Sequence, residues 1–180
     1  KNYKRERSFS RTLGTLMSIP SILIGLLVML LVSRRGPLGP LKISYTPTAM
    51  IIAQTLLVMP LICALVYQAV KSKGRLVEQL GNTLGGNKFS NTMLVLKELK
   101  TDIIVVIITA FSRAISEVGA VMIVGGNIKG KTRVMTTTIS MNNSMGNYEI
   151  SIALGIILLI IALAVNWIIQ LFKERDECEL

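Results

Sequence analysis

Four stretches of this chain run almost unbroken in apolar residues, approximately Leu13 to Ser33, Thr48 to Val70, Ile103 to Val124 and Ile150 to Phe172. Each is close to the ~20 residues that a helix needs to cross a ~30 Å hydrocarbon layer. Between them lie a short loop, Arg34 to Pro47, a long polar segment, Lys71 to Asp102, and a second polar segment, Gly125 to Glu149. The expected fold is all-α, an integral membrane helical bundle with four spans. Pro20 and Pro60 interrupt the first two runs and should bend them, as fixed kinks or as gate hinges, while Ser18, Ser21 and Gly25 allow helices to approach closely.

The long polar segment cannot insert, yet it has a helical rhythm of its own. Leu76, Val77, Leu80 and Leu84 fall on one face, and Phe89, Met93, Leu96 and Leu99 recur at spacings of four, three and three. Two short amphipathic helices are expected, with Gly85 and Gly86 of "LGGN" able to take the left-handed conformation that ends a helix and turns the chain. Such a hairpin either lies on lipid or protrudes so that its apolar faces meet another protein.

Composition supports a membrane protein: 51% of the 180 residues are hydrophobic, 17% are charged, and the mean hydropathy is +0.59. The net charge of +10 could point to nucleic acid. The basic residues sit between apolar runs, however, and not on a polar surface with stacking aromatics, so no nucleic-acid partner is expected. The amino-terminal flank (Lys1, Lys4, Arg5, Arg7, Arg11), the long segment (Lys71, Lys73, Arg75, Lys88, Lys97, Lys100) and the tail (Lys173, Arg175) fall on one side. They outnumber Arg34, Arg35, Lys42, Lys129, Lys131 and Arg133 on the other. The richer side should be cytoplasmic, with both ends of this chain there. Tyr45 and Tyr148 near outer span ends, and Trp167 near the inner end of the last, agree with that orientation. The chain opens on Lys1 without an initiator Met or signal sequence, which leads to the expectation of one or more earlier spans.

Histidine is absent, and Cys63 and Cys178 alone cannot complete a four-coordinate site, so neither a metal centre nor a cofactor is expected. Both cysteines read as free thiols. "GGNIKGKT", Gly125 to Thr132, does match the phosphate-cradling pattern G-x-x-x-x-G-K-[ST]. A working loop of that kind follows a strand, opens a helix and uses a separate Asp to position magnesium. This one follows a membrane run, precedes "RVMTTTISMNN", which is β-branched with no strong helical face, and puts Lys131 on the side away from ATP. An ATPase or kinase is therefore not expected, and no catalytic residues are assigned.

The third run holds "AFSRAISEVGA", with Arg113 and Glu117 four residues apart and so on one helical face. Together with Thr109, Ser112 and Ser116 they form a polar stripe, and ionisable groups at membrane depth face a bundle interior or an aqueous path. The pair either fixes helix packing or lines a pathway.

"VEQLGNTLGGNKFSNTMLVLKELKTDI" resembles the cytoplasmic EAA loop of binding-protein-dependent ABC importer permeases. Gln79, Leu80 and Gly81 stand where E-A-A is usual, Leu84 and Gly85 match its L-G, Gly86 replaces Ala, and Phe89 follows. Glu78 comes one position early, and the later Pro is missing. "RAISEVGAVMIVGGNIKGKTRVMTTTI" is similar to permeases of tungstate importers of the Tup type, relatives of molybdate and sulfate permeases, with Ser116 to Ala120 on their G-E-F-G-A-like stretch. The resemblance implies a MetI-like transmembrane domain over residues 1–180, with residues 71–102 as a helix-turn-helix coupling loop. It also implies homodimerisation, cytoplasmic ATP-binding subunits, an extracytoplasmic substrate-binding protein and a lipid-embedded location. On this reading Glu78, Gln79, Gly81, Leu84, Gly85, Gly86 and Phe89 meet the ATPase, and Arg113, Ser116 and Glu117 line the pathway. Arg113 would attract the oxyanion and Glu117 would moderate that attraction. Asn127, Lys129, Lys131 and Arg133 would form the outer mouth. Without the resemblance, a membrane structural or sensory subunit fits the same residues.

Overall fold

The computed structural model of the protein describes residues 2–178, without the side chains of residues 2–7, 75, 169 and 172–178. The basic groups at Lys1, Lys4, Arg5, Arg7, Arg75, Lys173 and Arg175, and the Cys178 thiol, therefore lie outside the described residues; Cys63 is a free, half-buried thiol.

Helix α1, Asn2–Met17, stops just before Pro20. Proline cannot donate to the preceding turn, and it steers Ile19 out of the helical region. Pro20 itself, at ψ 133°, becomes the N-cap of α2, Ser21–Val32. The two pieces meet at 87°, so the first apolar run is broken at Pro20 and not merely kinked. After a short 3-10 turn at Gly39–Leu41, the Thr46 side chain accepts from the Ala49 N–H at 3.4 Å and Pro47 occupies the first turn, which starts α3, Pro47–Ala69. Helix α3 passes through Pro60 without interruption. Pro60 differs from Pro20 in having apolar helical turns on both sides, in a helix packed on both α1 and α6 (Lys100–Ile115).

A π-helical turn at Val70–Gly74 leads from α3 into α4, Arg75–Thr83, and a tight turn joins α4 to α5, Lys88–Glu98. Helix α6 breaks before α7, Gly119–Gly125, with a bend of 58°. Helix α8, Met135–Ser144, and the long α9, Tyr148–Cys178, complete the chain. Among the described residues, Pro47–Gly74 and Tyr148–Ile168 are each long and apolar enough to cross a membrane alone, and counting each bent pair as one span gives four.

Helix α3 is the axis. At one end α2 and α7 pack on it around Val28, Val32, Ala49, Ala53 and Val124. A Cβ on Gly25 would stand 2.7 Å from the Ala120 Cα, so α2 and α7 meet backbone to backbone, as the small residue led one to expect. At the other end lie α1, α6 and the α4–α5 hairpin, whose base is tied by Lys73 Nζ to Asp102 Oδ2 at 2.9 Å. Many large apolar side chains of α2 and α9, such as Leu26, Leu30, Ile156 and Leu163, face outward. That is the surface a helix presents to lipid or to another apolar helix.

Candidate functional site

The polar centre of the bundle lies at the α6–α7 break. Glu117 sits in the gap, and its Oε1 accepts from the Ala120 N–H at 3.0 Å, so the carboxylate satisfies a backbone donor at the start of α7. Its Oε2 lies 3.4 Å from Arg113 Nη1, and its backbone carbonyl accepts from the Thr136 hydroxyl of α8 at 3.1 Å. The two partners differ in environment: the Glu117 side chain is 3% exposed and that of Arg113 46%. Glu117 thus holds three elements together, while Arg113 offers its guanidinium to the surroundings.

The expected stripe is only partly one surface. The Ser116 hydroxyl donates to the Arg113 carbonyl at 3.1 Å, and the Thr109 hydroxyl returns to the Val105 carbonyl. The Ser112 hydroxyl instead donates to Asn166 Oδ1 of α9 at 3.4 Å. Gln54 of α3 donates at 3.2 Å to the Ala114 carbonyl, which also accepts from the Glu117 N–H at 3.3 Å where α6 ends. The sequence reading passed over Gln54, Thr136 and Asn166. The signal for Gln54 and Asn166 was a lone amide inside an apolar run.

At the end of the bundle away from the hairpin, "GGNIKGKT" closes on itself. The Thr132 side chain, buried, accepts from the Ile128 N–H at 3.0 Å and donates to the Gly125 carbonyl at 2.5 Å. Asn127 takes a left-handed φ of 50°; its Oδ1 accepts from the Thr137 hydroxyl at 3.0 Å and its carbonyl from Arg133 Nη2 at 3.3 Å. Of the four residues assigned to the mouth, Asn127 and Arg133 build the loop, while Lys129 and Lys131 are exposed. A nucleotide cradle would need the threonine hydroxyl that this loop consumes, and the preceding element is helix α7, not a strand. The stretch after the loop does form a helix, contrary to its β-branched look. The Thr138 hydroxyl donates to the Val134 carbonyl at 2.7 Å, and Thr137 Oγ1 accepts from the Val134 N–H at 3.1 Å while giving its one proton to Asn127 Oδ1, so these hydroxyls are bonded at the start of the helix and do not compete with it. Tyr45 packs on Gly126, and a cavity of about 910 Å³ beside it is lined by Arg34, Lys42 and Ser44.

At the opposite end, α4 and α5 form the expected hairpin. Gly85 has φ 74°, and the Asn87 side chain caps α5 by accepting from the Ser90 N–H at 2.8 Å. The pivot was not foreseen. Asn91 is buried, and its Nδ2 donates to Asn82 Oδ1 at 2.6 Å; a Cβ on Gly81 or Gly86 would overlap the Asn91 amide. Those glycines are therefore required by a close approach, and Gly85 by its backbone angle. Of the apolar residues expected on one face of α4, only Val77 is buried; Leu76, Leu80 and Leu84 point outward with Phe89, Leu84 being 84% and Phe89 78% exposed. Glu78 and Gln79 are exposed beside them.

The profile of the binding-protein-dependent transport system inner membrane component family matches residues 1–175. The chain belongs to that family. Its relatives in this family include the tungstate uptake system permease protein TupB of Peptoclostridium acidaminophilum, 54% identical over 97% of this chain and 76% of the relative. TupB of Campylobacter jejuni is 33% identical over 96% of the chain and 72% of the relative. The sulfate transport system permease protein CysW of Synechococcus elongatus is 32% identical over 66% and 44%. No solved structure gives a significant match. Within such a membrane component, the break, the loop and the hairpin are the three places where polar or exposed chemistry departs from an apolar bundle.

Proposed function

We propose that this chain is the membrane-spanning permease subunit of an ATP-binding-cassette importer that carries tungstate into the cytoplasm. The observation that supports this most is the 54% identity with a tungstate uptake permease over 97% of the chain, a stretch that includes the break, the loop and the hairpin. The chain does no covalent chemistry in this reading. Separate ATPase subunits hydrolyse ATP, a binding protein delivers the anion, and two copies of the permease enclose the path.

Each feature then has a task. The hairpin is the coupling element on the cytoplasmic side, with Leu84 and Phe89 as apolar anchors, Glu78 and Gln79 beside them, and Gly81, Gly85 and Gly86 keeping the turn tight. The positive-inside count supports having both ends of the chain on that side. The exposed guanidinium of Arg113, next to Ser116, gives a tetrahedral dianion a transient partner, since its planar fork matches oxyanion edges. Glu117 holds α7 in place and partly neutralises Arg113, so the anion is attracted without being trapped. Lys129 and Lys131 draw anions to the outer mouth, on a loop shaped by Asn127 and Arg133.

The test is tungsten accumulation in cells that lack their own tungstate permease and carry this one with its partner subunits. Accumulation restored at low external tungstate, and lost when the ATPase is inactivated, supports the reading. No accumulation despite an assembled complex contradicts it.

A further inference from the structure

Arg113 lies on the buried face of α6 and is still half exposed. Val106, Ala110 and Arg113 follow one another at spacings of four and three, so they share one helical face, and the first two are buried in the bundle. Ile107 and Phe111, large apolar side chains that are exposed, stand on another face of the same helix. The exposure of Arg113 therefore comes from an opening on the bundle side of α6, where an ionisable group at membrane depth is expected to turn.

The two residues that flank Arg113 are each held by a different span. The Ser112 hydroxyl donates to Asn166 Oδ1 of α9 at 3.4 Å, and the Ala114 carbonyl accepts from Gln54 Nε2 of α3 at 3.2 Å. Both amides are half-buried in otherwise apolar stretches. A polar side chain is retained there against a cost, and helices in lipid use such groups to hold one another. Successive helical residues step ~100° around the axis, so Ser112 and Ala114 lie about 200° apart with Arg113 between them. Two grips so placed fix the rotation of that turn, where a single one would act only as a pivot. The Ala114 carbonyl also accepts from the Glu117 N–H, so the grip from α3 reaches the break itself.

We propose that Gln54 and Asn166 are positioning residues for anion passage: by holding the turn Ser112 to Ala114 from α3 and α9, they keep the Arg113 guanidinium turned into the opening. Neither amide need touch the anion. The proposal rests on the reading of Arg113 as the anion's transient partner, and it supplies what sets the direction of that side chain.

The test reads the orientation of position 113 by its reaction with a negatively charged methanethiosulfonate. It uses the assembled complex of permease and ATPase, in a chain carrying Arg113→Cys with Cys63→Ser and Cys178→Ser. The thiol at position 113 should react from the aqueous side. Adding Gln54→Met, which keeps the side-chain length and removes the donor, should slow the reaction about three-fold, the worth of one hydrogen bond between membrane helices. Asn166→Leu should do the same, and the two together should slow it more than either. Thr55→Val is the control, because the Thr55 hydroxyl bonds to Ile51 within α3, and it should leave the rate unchanged. A position 113 that does not react although both amides are in place overturns the proposal. So does a rate that is unchanged or raised when both amides are replaced in an assembled complex. Where that double variant does not assemble, Ser112→Ala, which deletes one hydroxyl from the grip of α9, decides by the same criterion. The reaction needs neither ATP nor a transported anion, so its result is separate from the tungsten accumulation that tests the permease reading.

Discussion

Arg113 and Glu117 form one ion pair but have separable jobs. Glu117 is nearly enclosed and holds the Ala120 amide in the first turn of α7, whereas Arg113 is half exposed and caps nothing. Glu117→Ala should lower stability by about 1–2 kcal/mol, the usual cost of a lost cap, read as a fall in melting temperature of the purified complex. Glu117→Gln keeps the acceptor for Ala120 and should lose less than about 1 kcal/mol. Arg113→Ala should reduce tungstate uptake more than it reduces assembly, the loss of assembly coming from the enclosed Glu117 carboxylate left without its partner; equal loss of folded complex and of uptake would sink the pathway role. The pairing itself was legible from a spacing of four. The capping was not, because nothing in "AFSRAISEVGA" says that the helix ends at Ile115 and restarts at Gly119.

At the scale of elements, the hairpin was the most readable part, since its 3.6-residue rhythm and paired glycines state both helices and the turn. Its interior was hidden, because a buried Asn91 looks in sequence like any polar position on an exposed helix. Gly81→Ala should push the new methyl into the Asn91 amide and abolish capture of the ATPase subunit, and Asn91→Ser, which shortens that side chain, should restore part of it. Leu84→Glu leaves the fold intact and should weaken ATPase capture on the order of tenfold or more, as expected for an exposed anchor. Normal capture by Leu84→Glu would contradict the coupling role. The broken spans were less readable, because an apolar run reports burial in lipid and not straightness. Only the polarity of α1 and the extended ψ of Pro20 separate the broken first run from the continuous second. Helix α8 escaped notice because threonines oppose helix formation until their hydroxyls are bonded, here to Val134 and Asn127.

For the whole molecule, the described residues divide into a loop end, with Lys129 and Lys131 exposed, and a hairpin end that carries exposed leucine and phenylalanine beside its own lysines. Lys129→Gln with Lys131→Gln should slow uptake at low ionic strength and much less at high salt, where a Debye length of about 8 Å or shorter already screens attraction from a distance. Tungstate, molybdate and sulfate differ little in charge and shape, so discrimination among them is assigned mainly to the binding protein. The permease must then transmit whichever anion is handed to it. The most direct measurement is uptake into vesicles holding the permease with its ATPase, supplied with ATP inside and binding protein outside. The account predicts tungstate uptake that requires both ATP and the binding protein and exceeds sulfate uptake. Uptake independent of either, or sulfate carried as well as tungstate with the same binding protein, would contradict it.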